Sequence, residues 1–208
     1  MTSVWKHVTQ RLSLSVIALL LIVLLAACSS LGGTASSPTP TTATPSPTPS
    51  PTPAVTTYTG DGYTISYPKD WKKSVASGQT TFQDSLGANA LGVVVVANPD
   101  GVAKPSTVLE ATLANAVKRG NMTNTSPANL PASVSLAGET WVQKGTTGTV
   151  GKGGASASFE VVVFTTNHPA NTSKTKLFEF VYAGPLVGST LVDAQIFQAM
   201  LASFKFTS

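Results

Sequence analysis

An α+β fold, an antiparallel β-sheet flanked by helices, is predicted for residues 58–208 by three observations. Short segments of period-two alternation or continuous β-branched residues recur along the stretch, and two segments carry an apolar stripe at helical spacing. The order is strands, helix, strands, helix, which favours helices packed on an antiparallel sheet.

Tyr63-Thr64-Ile65-Ser66-Tyr67 alternates and stops at Pro68-Lys69-Asp70, a strand entering a turn. Trp71–Val75 and Thr80–Gln83 predict two more short strands. Leu91–Ala97 holds four consecutive valines closed by Asn98-Pro99-Asp100-Gly101, the pattern of a central strand covered on both faces. Thr107–Arg119 predicts a helix. Thr107 and Glu110 have capping-box spacing, and Leu109, Leu113, Ala116 and Val117 form one stripe. Lys118-Arg119 suit the negative end of the dipole, and Gly120 suits a left-handed stop. Glu139–Thr149, Ser156–Thr166 and Lys174–Ala183 predict an antiparallel meander. A last helix is expected over Thr190–Ser203, with Thr190 and Asp193 as its capping box. Its buried face is expected to be Ile196, Phe197, Met200, Leu201 and Phe204.

The chain has 208 residues, of which 11% are charged, against roughly 25% in ordinary soluble domains. Its single cysteine excludes an internal disulfide and a Cys-based zinc cluster. Beyond Cys28 the chain carries eleven basic and nine acidic residues, so the net charge of +4 marks no nucleic-acid binder.

Residues 1–27 predict a signal peptide. Lys6 and Arg11 precede a sixteen-residue run, Leu12–Ala27, apolar except for Ser13 and Ser15. The run is shorter than the about 20 residues that a membrane-spanning helix needs. It ends in Leu25-Ala26-Ala27-Cys28, which resembles the bacterial lipobox. That resemblance implies cleavage between Ala27 and Cys28 and a diacylglycerol on the Cys28 sulfur, holding the protein to the extracytoplasmic face of a cell membrane. Residues 28–57 follow as a linker. Ser29–Thr57 has no charged residue, and seven of the fourteen prolines lie between Pro38 and Pro53. The segment is too poor in apolar side chains to pack a core and is biased to an extended polyproline II spacer.

Tyr63-Thr64-Ile65-Ser66-Tyr67-Pro68-Lys69-Asp70-Trp71 resembles the opening of PsbP-like domains, and Ser203-Phe204-Lys205-Phe206 after an apolar helix resembles their ending. The resemblance covers most of residues 58–208. It implies an α/β/α sandwich used as a binding or assembly module, without catalysis and without a cofactor. The family includes extrinsic photosystem subunits and actinobacterial cell-envelope lipoproteins, and its members share no one ligand.

Among candidate sites, His168 lies in Asn167-His168-Pro169-Ala170, with no recognisable triad context, and is expected to be a solvated turn residue. The run Gly145–Gly154 lacks the spacing of a phosphate-binding loop and is expected to be a hairpin loop. Trp71, Trp141, Tyr63 and Tyr67 are the candidates for a binding groove, with core packing as their alternative. Glu139, Glu160 and Glu179 fall abreast if the late hairpins fold about the Gly-rich loop and the Asn-Pro loop, which would suit a cation or a basic partner; a shifted register with solvated carboxylates is the reading preferred. Asn121, Asn124 and Asn171 begin glycosylation-type triplets, which behind a bacterial lipobox carry no expectation. The sequence therefore predicts no catalytic or metal site. It predicts a lipid-anchored envelope protein with a protein partner or, alternatively, a small hydrophobic ligand such as a lipid.

Overall fold

The valine run forms an inner strand of the larger sheet. In the computed structural model, which describes residues 54–151, 155–187, 190–191 (backbone only) and 194–207, it lies in β5 (Ala90–Ala97) between β4 (Gln79–Gln83) and β10 (Lys176–Val187). The nine-stranded sheet runs in order from β3 (Lys72–Ala76) through β4, β5, β10, β9 (Ala157–His168) and β8 (Glu139–Val150) to β6 (Thr123–Pro127). Short β7 (Ser133–Leu136) pairs with the first half of β8, and β11 (Thr190–Leu191) pairs with the end of β10. A separate small sheet joins β1 (Val55–Gly60), β2 (Tyr63–Pro68) and β12 (Lys205–Phe206). Every ladder is antiparallel.

Alternation along the central strands sends side chains to two separate cores. Val94, Val161, Val163, Val181 and Ala183 face α1 (Pro105–Arg119), meeting Leu109, Leu113 and Ala116. Val93, Val162, Phe164, Phe178 and Phe180 face the small sheet and α2 (Ala194–Ser203), meeting Tyr63, Ile65, Phe197, Met200 and Phe204. The fold is thus α+β in three layers. Strand burial on both faces explains why the apolar run of β5 does not alternate.

Several expected boundaries move. The capping box at Thr107 and Glu110 does not form. α1 begins at Pro105, with Lys104 at the cap position and no side-chain cap bond. Proline at the first position has no N–H to satisfy, so the turn tolerates a cap residue without an acceptor. Glu110 instead pairs with Lys144 across to β8, at 2.7 Å. At the other end Gly120 is right-handed, and the left-handed residue is Asn121, with φ of 47°. The Met122 N–H bonds to the Val117 carbonyl at 3.1 Å and closes a Schellman turn one residue beyond the glycine. Val55–Thr57, expected in the linker, belong to β1 and pair with Ser66–Pro68. The last helix begins at Ala194, since Thr190 and Leu191 are taken up by β11; the Asp193 half of its expected capping box lies outside the described residues.

Most of the glycine run is strand, not loop. Gly145–Val150 continues β8, and the expected loop residues 152–154 lie outside the described residues. A Cβ on Gly145 would lie 2.9 Å from Leu130 Cδ1, 3.0 Å from Ala128 Cβ and 3.0 Å from Val162 Cγ2. The residue is therefore glycine because the 128–130 segment closes directly over the strand. Gly145→Val is expected to lower stability by about 1–3 kcal/mol through overpacking. A melting temperature equal to wild type would show that the segment can move aside.

Candidate functional site

At one end of the sheet the register brings four ionisable side chains into a row. Lys176 is opposite His168, and extending the β8–β9 register from Val142–Thr165 sets Glu139 beside His168. His168 Nδ1 lies 2.7 Å from Glu139 Oε1, with both side chains about one-third exposed (32% and 33%). Lys176 Nζ pairs with Asp61 Oδ1 of the β1–β2 turn at 2.5 Å. The Phe206 ring stacks on the imidazole with centroids 3.8 Å apart and planes 15° apart, while Phe178 meets it edge-on at 6.4 Å.

His168 is thus not a solvated turn residue. It is the last residue of β9, because β9 and β10 pair two residues further than the expected end at Thr166. The Glu139 carboxylate on Nδ1 and the Phe206 ring on its face together fix the orientation of the imidazole. Among the described residues no hydroxyl hydrogen-bonds the imidazole, and no group of three His, Cys, Asp or Glu gathers there or elsewhere. Replacing His168 by alanine removes the stack that holds the C-terminal strand and is expected to cost about 1–2 kcal/mol. Faster amide exchange at Lys205–Thr207 should accompany it; unchanged exchange would mean that pairing with β2 alone retains β12.

The three glutamates are not abreast. Glu139 meets His168; Glu160 is opposite Thr147 and Gly184; Glu179 is opposite Val94 and Thr165. The turns sit away from the loop centres that the row required, so the shifted register holds and no cation site results. The carboxylates are not all solvated either. Glu179 is 1% exposed, beneath α1, where the Thr112 hydroxyl donates to Oε2 at 2.7 Å. Burial pushes its carboxyl up to about 7 against the lowering effect of that one hydrogen bond. Burial also raises Glu160, and burial with the Glu160 charge pushes Tyr182 up to about 12.

The four aromatics are brought together, but as core. Trp71, Trp141 and Tyr63 are buried and Tyr67 packs against them, its ring 4.6 Å from Phe82. Trp141 stacks on Phe180 at 4.8 Å and donates Nε1–H to the Leu136 carbonyl at 3.0 Å. Trp71 meets Phe197 edge-on at 5.8 Å. Ala27 and Cys28 lie outside the described residues.

One feature had no signal in the sequence. A cleft of about 720 Å³ opens at the C-terminal end of α1, with Val117, Met122 and Val150 as its apolar walls and Lys118 beside it. It is assembled from a helix end, the Schellman turn and the end of β8, three places with no common motif. Among the described residues no helix is long and apolar enough to cross a membrane.

No family model matches the chain, and no curated protein matches it. Among solved structures, that of LpqN from Mycobacterium tuberculosis, a protein involved in cell envelope biogenesis, is similar to it. The two are 15% identical with a TM-score of 0.46, over 74% of this chain and 91% of that one.

Proposed function

We propose that this chain is an extracytoplasmic lipoprotein of the cell envelope, anchored at Cys28, whose domain is a non-catalytic binding or assembly module of PsbP-like type. The observation that carries the proposal is the order of the parts. A charged start and apolar run end in Leu-Ala-Ala-Cys, and an uncharged Pro/Thr stretch separates that cysteine from a domain that begins at Val55. Two acyl chains on one cysteine hold a protein stably at about 0.8 kcal/mol per buried methylene, so no spanning helix is required. The PsbP-like assignment rests on the Tyr63–Trp71 motif and the Ser203–Phe206 ending.

Labelled palmitate fed to the native host tests the anchor. Wild-type protein is expected to take up label and sediment with membranes, whereas Cys28→Ala takes up none. Equal label in both would end the proposal. The module reading is tested by crosslinking the anchored protein in its own membranes, with a reproducible protein partner expected. A carrier of a lipid or other hydrophobic molecule is the second reading, favoured by the apolar walls of the α1 cleft. Native mass spectrometry that retains such a molecule, with no partner crosslinked, would support the carrier instead.

A further inference from the structure

We infer that the sheet edge beside the chain's entry point, centred on Lys69, Lys72 and Lys73, is a docking surface for an anionic lipid bilayer. The inference rests on the proposed anchor at Cys28 and adds to it a face of the domain that meets the membrane. The entry point is pinned: the Lys69 N–H donates to the Ala54 carbonyl at 2.9 Å, where the chain joins β1. Lys69, Lys72 and Lys73 are all exposed, and none forms an ion pair among the described residues. Asp70 lies among them and Asp84 follows Gln83, the partner of Lys72, so three lysines stand against two acids, a local excess of one positive charge. Lys73 Nζ is held 4.4 Å over the Tyr58 ring.

Two exposed apolar side chains lie beside them: Val55 is opposite Pro68, next to Lys69, and Val75 follows Lys73 on the same side of β3. Val55 at the start of β1 is 53% exposed and Val75 in β3 is 57% exposed. β3 is the edge strand of its sheet, every residue of it exposed. Charged and apolar groups together suit a headgroup region, where lysines meet lipid phosphates and small apolar side chains enter the interface. Each lysine near such a surface strengthens binding about five-fold. The surface needs little intrinsic affinity. Ser29–Pro53 is the only chain between the proposed anchor and the domain, and a tether confines its cargo near its attachment at about millimolar effective concentration.

The test uses the mature chain from residue 28 with Cys28→Ser, so that no lipid contributes. Vesicles of phosphatidylcholine alone are compared with an equal mixture of phosphatidylcholine and phosphatidylglycerol. Binding to the mixed vesicles is expected, lost at high salt and weakened about tenfold or more by combined Lys69→Gln, Lys72→Gln and Lys73→Gln. Lys118→Gln with Arg119→Gln, at the α1 end, is expected to change it less than threefold, with both variants melting as the parent does. Equal binding to neutral vesicles, or equal loss in the two variants, would overturn the inference. So would sedimentation showing a dimer that the β3 lysine substitutions disrupt, because a second copy would then occupy the edge. The anchor is judged separately by palmitate uptake, so unlabelled wild-type protein that still binds mixed vesicles would refute the anchor and not the surface.

Discussion

Trp141→Ala is expected to lower the melting temperature by about 10–15 °C, from a loss of about 3–5 kcal/mol in a domain of this size. The indole is fully buried and is the joint between the two sheets. It stacks on Phe180 of β10 and also contacts Phe204 and Phe206, which lead into and form β12. Truncation leaves a cavity that these rings cannot fill without leaving the strand positions that their backbones fix. It also strips the Leu136 carbonyl of the indole N–H that reaches it across the β7–β8 turn. Trp141→Phe separates the contributions. A phenyl ring keeps the stack on Phe180 and loses the hydrogen bond and part of the volume, so about 1–2 kcal/mol is expected. If the alanine variant melts within a few degrees of wild type, the second core does not depend on this ring.

Glu179→Gln is expected to stabilise the domain at alkaline pH and to leave it nearly unchanged in acid. Burial raises the folded carboxyl from its ordinary 4.5 to about 7. Between those values the folded domain binds more protons than the unfolded chain, so stability falls as pH rises. The contribution is fully present below about 4.5 and lost once pH has passed about 7. Its size is about 3 kcal/mol at 1.36 kcal/mol per pH unit. Glutamine keeps an acceptor for the Thr112 hydroxyl and carries no charge at any pH. Its melting temperature should exceed wild type by about 6–12 °C at pH 8 and converge with it near pH 4.5. The raised Glu160 acts in the same direction, but it is present in both proteins and cancels in the difference. Parallel pH curves for the two proteins would show that Glu179 is not the group responsible.

Those two residues also mark how far the sequence could be read. Trp141 was legible as an aromatic in a strand, with groove and core as its alternatives, and its 0% exposure decides for core. Glu179 was legible only as one member of a row. Whether a strand carboxylate faces water or a helix depends on register, and register depends on where each hairpin turns. Extending β9 two residues past its expected end, to pair with the start of β10, also turned His168 from a loop residue into one stacked on Phe206. Of the strands that were not anticipated, β6 and β7 were missed for different reasons. β6 is exposed throughout and shows no apolar pattern, whereas β7 does alternate and ends at Ala137-Gly138, both with positive φ, a readable two-residue hairpin turn.

By itself the sequence determined what depends on neighbours along the chain. Period-two alternation, the apolar stripes of both helices and the valine run report local periodicity, and periodicity follows from backbone geometry alone. The order of strands and helices then limits the architecture to a sheet covered by helices. Tertiary structure alone decided what depends on residues distant in sequence. The partners of Glu139 and Glu179, the glycine that Leu130 crowds and the cleft walled by Val117 and Val150 each join separate segments. A shift of one residue in any pairing would send those side chains to opposite faces, so only the assembled sheet specifies them.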